Sequence, residues 1–141
     1  MTLTLKPDPE ELGRLVEFIE AFCHRHGLPD ETSCHLNIAL EELILNAMKH
    51  GRCNPVEGAI RLDIELAGDT LNIELSDTGV PFNPLDRPEP DLTGNIAERP
   101  IGGLGIHLVR SLMGSIGYQR REGRNYLHLT KQVPHAHGRT W

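Results

Sequence analysis

No apolar run in this 141-residue sequence approaches the ~20 residues that a bilayer-spanning helix needs, so no membrane segment is expected. The opening MTLTLKPDPEE lacks the basic region followed by an apolar stretch that marks a secretory leader. Lysine and arginine number 14 against 20 acids and gather in no cluster, leaving a formal charge of −6 and a pI near 5.7. Phosphate-backbone binding needs clustered cations, so direct nucleic-acid binding is disfavoured and protein or small-ligand partners are favoured. Cysteine is sparse: Cys23, Cys34 and Cys53 form no C-x-x-C pair, and their odd number suits neither a disulfide framework nor a zinc site. Reduced, packed thiols in a cytoplasmic chain are expected. Internal repeats are missing too, and His135 and His137 in PHAHGRTW have none of the further ligands a metal would require.

What is present suits one globular domain. With 38% hydrophobic and 24% charged residues, a chain of this length buries roughly 70% of its unfolded surface. A single domain over 1–133 is expected, followed by a disordered tail over 134–141. TLTLK alternates as an edge strand; Asp8, Pro9 and Glu11 then supply an N-cap, a first-turn proline and a capping-box acid. The helix they open carries Leu12, Leu15, Val16, Ile19, Phe22 and Cys23 on one stripe, and Gly27 offers a left-handed stop. Pro29 and Asp30 open a second helix through His50, with Leu36, Leu40, Leu43 and Ala47 as its stripe, Ile38 and Leu45 widening it, and Gly51 closing it.

IRLDIEL and LNIELSD alternate with period two around Ala67-Gly68-Asp69-Thr70, which predicts an antiparallel hairpin. Residues 83–101 carry four prolines and no sustained period, so they are expected to form a long functional loop, a lid. Helical spacing resumes over Leu104 to Met113 from a Gly102-Gly103-x-Gly105 start, and IGYQRREGRNYLHLTK closes the chain as a hairpin around Glu122 to Asn125. These elements predict an α+β fold, a two-layer sandwich with helices on one face of a mixed, mostly antiparallel sheet.

Three motifs could carry chemistry. In EELILNAMKHG, Glu42, Asn46 and His50 stand four apart, drifting by about 40° per step along one helix stripe, so they can serve one site. A carboxylate can take the proton of an attacking hydroxyl, and an amide oxygen is a hard ligand suited to Mg²⁺ among phosphates. Glu42 and Asn46 could equally edge the apolar stripe into water, and His50 could simply cap helix carbonyls. In SDTGVPFNP, alternation puts Asp77 on the inward face with Leu71, Ile73 and Leu75, where its carboxylate could meet an adenine amino group; Gly79 would let backbone approach the base. A plain turn at Asp77-Thr78-Gly79 is the competing reading. In PIGGLGIHLVRSLM, glycines run into a helix start, a place suited to phosphate oxygens, but neither a Walker Lys-Ser/Thr nor the strand of a dinucleotide fingerprint accompanies them.

Taken in order, E-x-x-x-N-x-x-x-H-G, D-x-G-x-P-F and G-G-L-G-x-x-L-V over residues 30 to 131 resemble the ATP-binding domain shared by gyrase, Hsp90, histidine kinases and MutL. The compact length, the PF after the glycine and the ending GRNYLHLTK resemble the anti-sigma regulatory factors, serine/threonine protein kinases of bacterial partner switching. The resemblance implies the Bergerat, histidine-kinase-like ATPase fold, with ATP and Mg²⁺ as ligands. It makes Glu42 the general base, Asn46 the Mg²⁺ ligand, Asp77 the adenine reader and Gly79 its neighbour, followed by Pro81 and Phe82. Gly102, Gly103, Leu104 and Gly105 would surround the phosphates, His50 would form pocket wall, and Arg99 would meet the terminal phosphate when the lid closes. Asn83 and Gly114 stand where the family often has aspartate, away from those groups. The implied partners are an anti-anti-sigma (STAS-domain) protein, a sigma factor and a second copy of the chain as a homodimer. Competing functions are a nucleotide-dependent protein-binding module without kinase activity, or a catalytic module that has lost a histidine-containing partner.

Overall fold

The computed structural model describes residues 1–51, 53, 55–86 and 101–134, with only the backbone of 101–104. Strand β1 (Thr2–Leu5) lies at one sheet edge. Asp8 then accepts a hydrogen bond from the Glu10 N–H at 3.0 Å and opens a 3-10 turn over Pro9–Glu11 before helix α1 (Leu12–Arg25). That turn displaces the expected capping box: Glu11 accepts from the Lys6 N–H at 2.9 Å, not from Asp8. Gly27 takes φ +65°, and the Leu28 N–H reaches back to the Cys23 carbonyl at 2.9 Å, which stops α1 and buries Leu28.

Helix α2 (Asp30–Gly51) buries Leu36, Leu40, Leu43 and Ala47 as its spacing requires. The stripe widens through Ala39 and Ile44; Ile38, expected to widen it, is 40% exposed, as is Val16 on α1. Both stand at the border of stripes whose arcs are already filled by neighbours.

Strands β2 (Ile60–Ala67) and β3 (Thr70–Asp77) pair from Ala67↔Thr70, leaving Gly68-Asp69 as the turn with Gly68 at φ +63°. Strands β4 (Ser115–Arg121) and β5 (Arg124–Gln132) are joined by Glu122-Gly123, both at positive φ (50° and 77°), the pairing that matches the twist of a hairpin. The sheet order is β1-β2-β3-β5-β4, and every described pairing is antiparallel. Period two sends Leu62, Ile64, Leu71, Ile73, Leu75, Leu127 and Leu129 into one core with the helices, while Arg61, Glu65 and His128 face outward.

Helix α3 (Ile101–Leu112) seats Ile106 and Val109 in that core. At its far end Lys131 donates from Nζ to the Leu112 carbonyl at 2.7 Å and lies 3.2 Å from His35 Nδ1, tying α3 to β5 and α2. Burial lowers the Lys131 pKa from its ordinary value. Residues 87–100 of the expected lid and 135–141 of the expected tail lie outside the described residues; residues 84–86 at the start of that loop form a 3-10 turn.

Candidate functional site

The polar stripe of α2 follows from its helical phase. Asn46 is buried at 6% exposure and Glu42 and His50 are half-buried, so none of the three is a solvated edge like Glu41. The His50 ring stacks on Phe82, with centroids 4.7 Å apart and planes 27° from parallel, which makes His50 wall rather than a simple helix cap. The Asn46 Nδ2 group is buried and has no hydrogen-bond partner among the described residues. Such a group is costly unless something completes it.

The strand corner after β3 is the most ordered part of the site. Asp77 Oδ1 accepts from the Gly79 N–H at 2.8 Å and from Asn125 Nδ2 at 3.0 Å, and Cys53 Sγ lies 3.9 Å away. Asp77 thus keeps the inward phase and also makes the local turn, so both sequence readings describe it. Burial, then the nearby Asp77 carboxylate, raise the Cys53 pKa, so this thiol stays protonated. Gly79 has a reason that the sequence did not disclose. A Cβ there would collide with the Gly51 backbone, 2.6 Å from its Cα, and the Val80 N–H donates to the Gly51 carbonyl at 2.7 Å. The end of α2 and the turn after β3 therefore close on each other, glycine against glycine.

Asn125, which the sequence reading passed over, holds this corner together. Its Oδ1 accepts from the Phe82 N–H (3.2 Å) and the Tyr118 hydroxyl (2.5 Å), and its Nδ2 donates to Asp77 and to the Val80 carbonyl (2.8 Å). Arg120 adds a bond from Nη1 to the Gly79 carbonyl at 2.6 Å. The available signal was parity: Asn125 shares the inward phase of Leu127 and Leu129, a polar residue on an apolar face.

The third motif differs from expectation. Helix α3 begins at Ile101, three residues before Leu104, so Gly102, Gly103 and Leu104 lie inside its first turn rather than ahead of it. The amides of 101–104 are the ones without an intrahelical acceptor, a place where anions are stabilised. Gly105 meets the α2 stripe directly: a Cβ added there would overlap the Glu42 carboxylate, with Oε1 at 2.7 Å and Oε2 and Cδ nearer still. Arg99 lies outside the described residues, and Pro81 is exposed beside the corner.

The motif residues do meet. Asn46, Asp77, Phe82 and Asn125 line one cleft with Leu43, Leu75 and Leu127, and Glu42 stands one helical turn from Asn46 against α3. The cleft is nearly closed, about 10 Å³, room for about one water. Its chemistry fits a nucleotide with Mg²⁺. Asp77 is held in place by Gly79 and Asn125 with a carboxylate that can accept a further hydrogen bond, and Asn46 carries a buried amide nitrogen lacking a partner among the described residues, whose oxygen and nitrogen exchange places by a half-turn. No group of three or more metal-binding side chains exists among the described residues, so a cation here would take most of its ligands from phosphate and water. Among the described residues no helix is long and apolar enough to cross a membrane.

Comparison with known proteins gives a consistent result. Residues 5–131 match the histidine kinase-like ATPase domain. The chain is 32% identical over 137 residues to the serine-protein kinase RsbW of Listeria innocua, covering 94% of this chain and 85% of that one. It is 28% identical over 95 residues to the serine/threonine-protein kinase BtrW of Bordetella bronchiseptica, covering 67% of each. Among solved structures, the RsbU and RsbW domains of Rv1364c from Mycobacterium tuberculosis superpose with a TM-score of 0.69 at 16% identity, over 94% of this chain. The chain spans 32% of that larger protein, and at such identity the likeness concerns the fold.

Proposed function

The chain belongs to the histidine kinase-like ATPase family, and on that premise we propose that it is a cytoplasmic serine/threonine protein kinase of the anti-sigma type. It binds ATP with Mg²⁺ and phosphorylates a serine or threonine of an anti-anti-sigma, STAS-domain partner; a sigma factor is its second partner, and it works as a homodimer. One domain, 1–133, carries these activities. The observation that supports the reading best is the convergence of three separate elements: Asp77 and Asn46 on one cleft, with Glu42 against the glycine-opened helix beside it.

Phosphoryl transfer asks chiefly for positioning and charge neutralisation. Asp77, fixed by Gly79 and Asn125, accepts from the adenine amino group, and Phe82 with His50 walls the base. Asn46 would hold Mg²⁺ through its amide oxygen, and the ion would supply neutralisation of charge on the phosphate oxygens. The first-turn amides of α3, from Gly102, Gly103 and Leu104, bind phosphate, and Arg99 meets the terminal group. Glu42 accepts the proton of the acceptor hydroxyl as its oxygen bonds to phosphorus and the bond to ADP breaks. The product side chain carries about −2 charge, which repels the acidic kinase and changes partner choice.

Calorimetric titration of ATP with and without Mg²⁺, beside transfer of labelled phosphate to a STAS-domain protein, tests this reading. Asp77→Asn is expected to weaken ATP binding at least tenfold. Glu42→Ala is expected to keep ATP affinity while lowering transfer by about 10²–10⁴-fold. Folded chain that binds no ATP would end the proposal. Transfer-free partner capture that survives Glu42→Ala would replace it with a nucleotide-dependent binding module; under either reading the nearly closed cleft must open to admit a base.

A further inference from the structure

We infer that Gly105 is a positioning residue for Glu42: its missing side chain is the space the Glu42 carboxylate lies in, and phosphate contact is not what requires glycine there. The inference deepens the kinase reading, because it concerns the group assigned to take the proton.

Three observations lead to it. Gly105 is the fifth residue of α3, so its amide is the first in that helix to have an intrahelical acceptor, and it has little donor capacity left for an anion. Its backbone does not adopt a positive φ, so conformation does not demand glycine either. Glycine inside a helix is unfavourable relative to alanine, which leaves its presence to be explained by space. What stands against its Cα is the Glu42 carboxylate: the built Cβ overlaps both carboxylate oxygens and Cδ, and among the described residues no other group comes as near.

The contact differs in kind from the one at Gly79. There the obstruction is backbone, and nothing can yield. Here it is the far end of a side chain whose own helix is anchored by Leu40, Leu43 and Ile44. A methyl group at 105 therefore leaves the fold intact and swings the carboxylate into another rotamer, away from α3. The helix keeps its place while the acid loses its own. Two elements distant in sequence are thus set to one separation, with Gly105 as the spacer of zero size.

Gly105→Ala tests this through side-chain carboxyl NMR of glutamate-labelled protein, with the Glu42 resonance assigned by Glu42→Gln. The expected result is a displaced Glu42 resonance, a midpoint of thermal unfolding equal to or above the parent's, and ATP affinity within about threefold of it by calorimetry. Transfer to the STAS-domain acceptor is expected to fall at least a hundredfold, and Glu42→Ala added to Gly105→Ala is expected to cost nothing more, since the acid is already out of place. An unmoved Glu42 resonance, or a tenfold loss of ATP affinity with the two substitutions acting additively on transfer, would overturn the inference and return Gly105 to the phosphates. Parent protein that binds no ATP would end the kinase reading instead, and the NMR comparison would still decide whether Gly105 sets the position of Glu42.

Discussion

The two sides of the cleft are finished to different degrees. On the β3 side, Asp77, Asn125, Tyr118, Arg120 and the backbone of 79–82 form a network in which Asn125 uses both its oxygen and its nitrogen twice, and Thr78 Oγ1 is the one buried side-chain atom of that corner with no partner among the described residues. On the α2 side, Asn46 buries an amide nitrogen with no partner among the described residues, and Glu42 meets α3 only because residue 105 has no side chain. A connected network holds its shape alone, whereas an unsatisfied buried group carries a cost that a ligand can remove. The difference teaches that the β3 wall of the cleft is held by contacts within the protein, while the α2 wall carries a buried group that is open to completion by what binds.

The largest effect should come from forcing the rigid side apart. Gly79→Ala drives a Cβ into the Gly51 backbone and is expected to cost about 3 kcal/mol in urea unfolding and to remove ATP binding with it. Unchanged stability would mean that the corner is softer than its contacts indicate. The next experiment sets one asparagine against the other. Asn125→Ala strands Asp77, the Val80 carbonyl, the Phe82 amide and the Tyr118 hydroxyl and should cost about 2 kcal/mol. Asn46→Ala removes an unpartnered group and should change stability by no more than about 0.5 kcal/mol, yet abolish the Mg²⁺ dependence of ATP binding. Equal destabilisation by the two would erase the contrast.

The smallest effect lies at the far end of α3, where Lys131 caps the Leu112 carbonyl. Burial lowers its pKa in the fold, so between that value and the ~10.4 of the unfolded chain the unfolded state holds more protons. Its contribution therefore makes stability rise with pH across that alkaline interval. Lys131→Met should lose this part of the slope, and the difference between the two proteins' unfolding profiles isolates it from the thiols Cys23 and Cys53. Those have raised pKa values and act in the opposite direction. Parallel profiles would show that Lys131 is solvated in the fold.

Much of this architecture was legible in advance because it follows local rules. The period-two runs fix β2 and β3, Gly68 and Glu122-Gly123 sit where hairpin turns need positive φ, and Gly27 stops α1. Asp77 was placed inward by parity alone. What escaped depends on contacts between distant segments. Asn125 lies 48 residues from Asp77, and no pattern in GRNYLHLTK announces the pairing. The start of α3 was set three residues late because glycines read as loop until a neighbouring helix supplies the packing that holds them. Hydrophobicity alone places Ile38 on the stripe of α2, whereas its angle on the helix points it to solvent.

The Gly51–Gly79 contact bears on how sequence tolerance should be interpreted. In a saturation screen of every position, Gly79 would score as intolerant, and its place beside Asp77 would invite the conclusion that it touches the nucleotide. The intolerance at 79 would instead record the chain meeting itself. A screen scored for folded abundance would already show it in full, whereas Asp77, which also bonds the Gly79 amide and Asn125, would be expected to fail further when the score is binding. Comparing the two scores position by position would separate residues selected for the ligand from those selected for the walls around it.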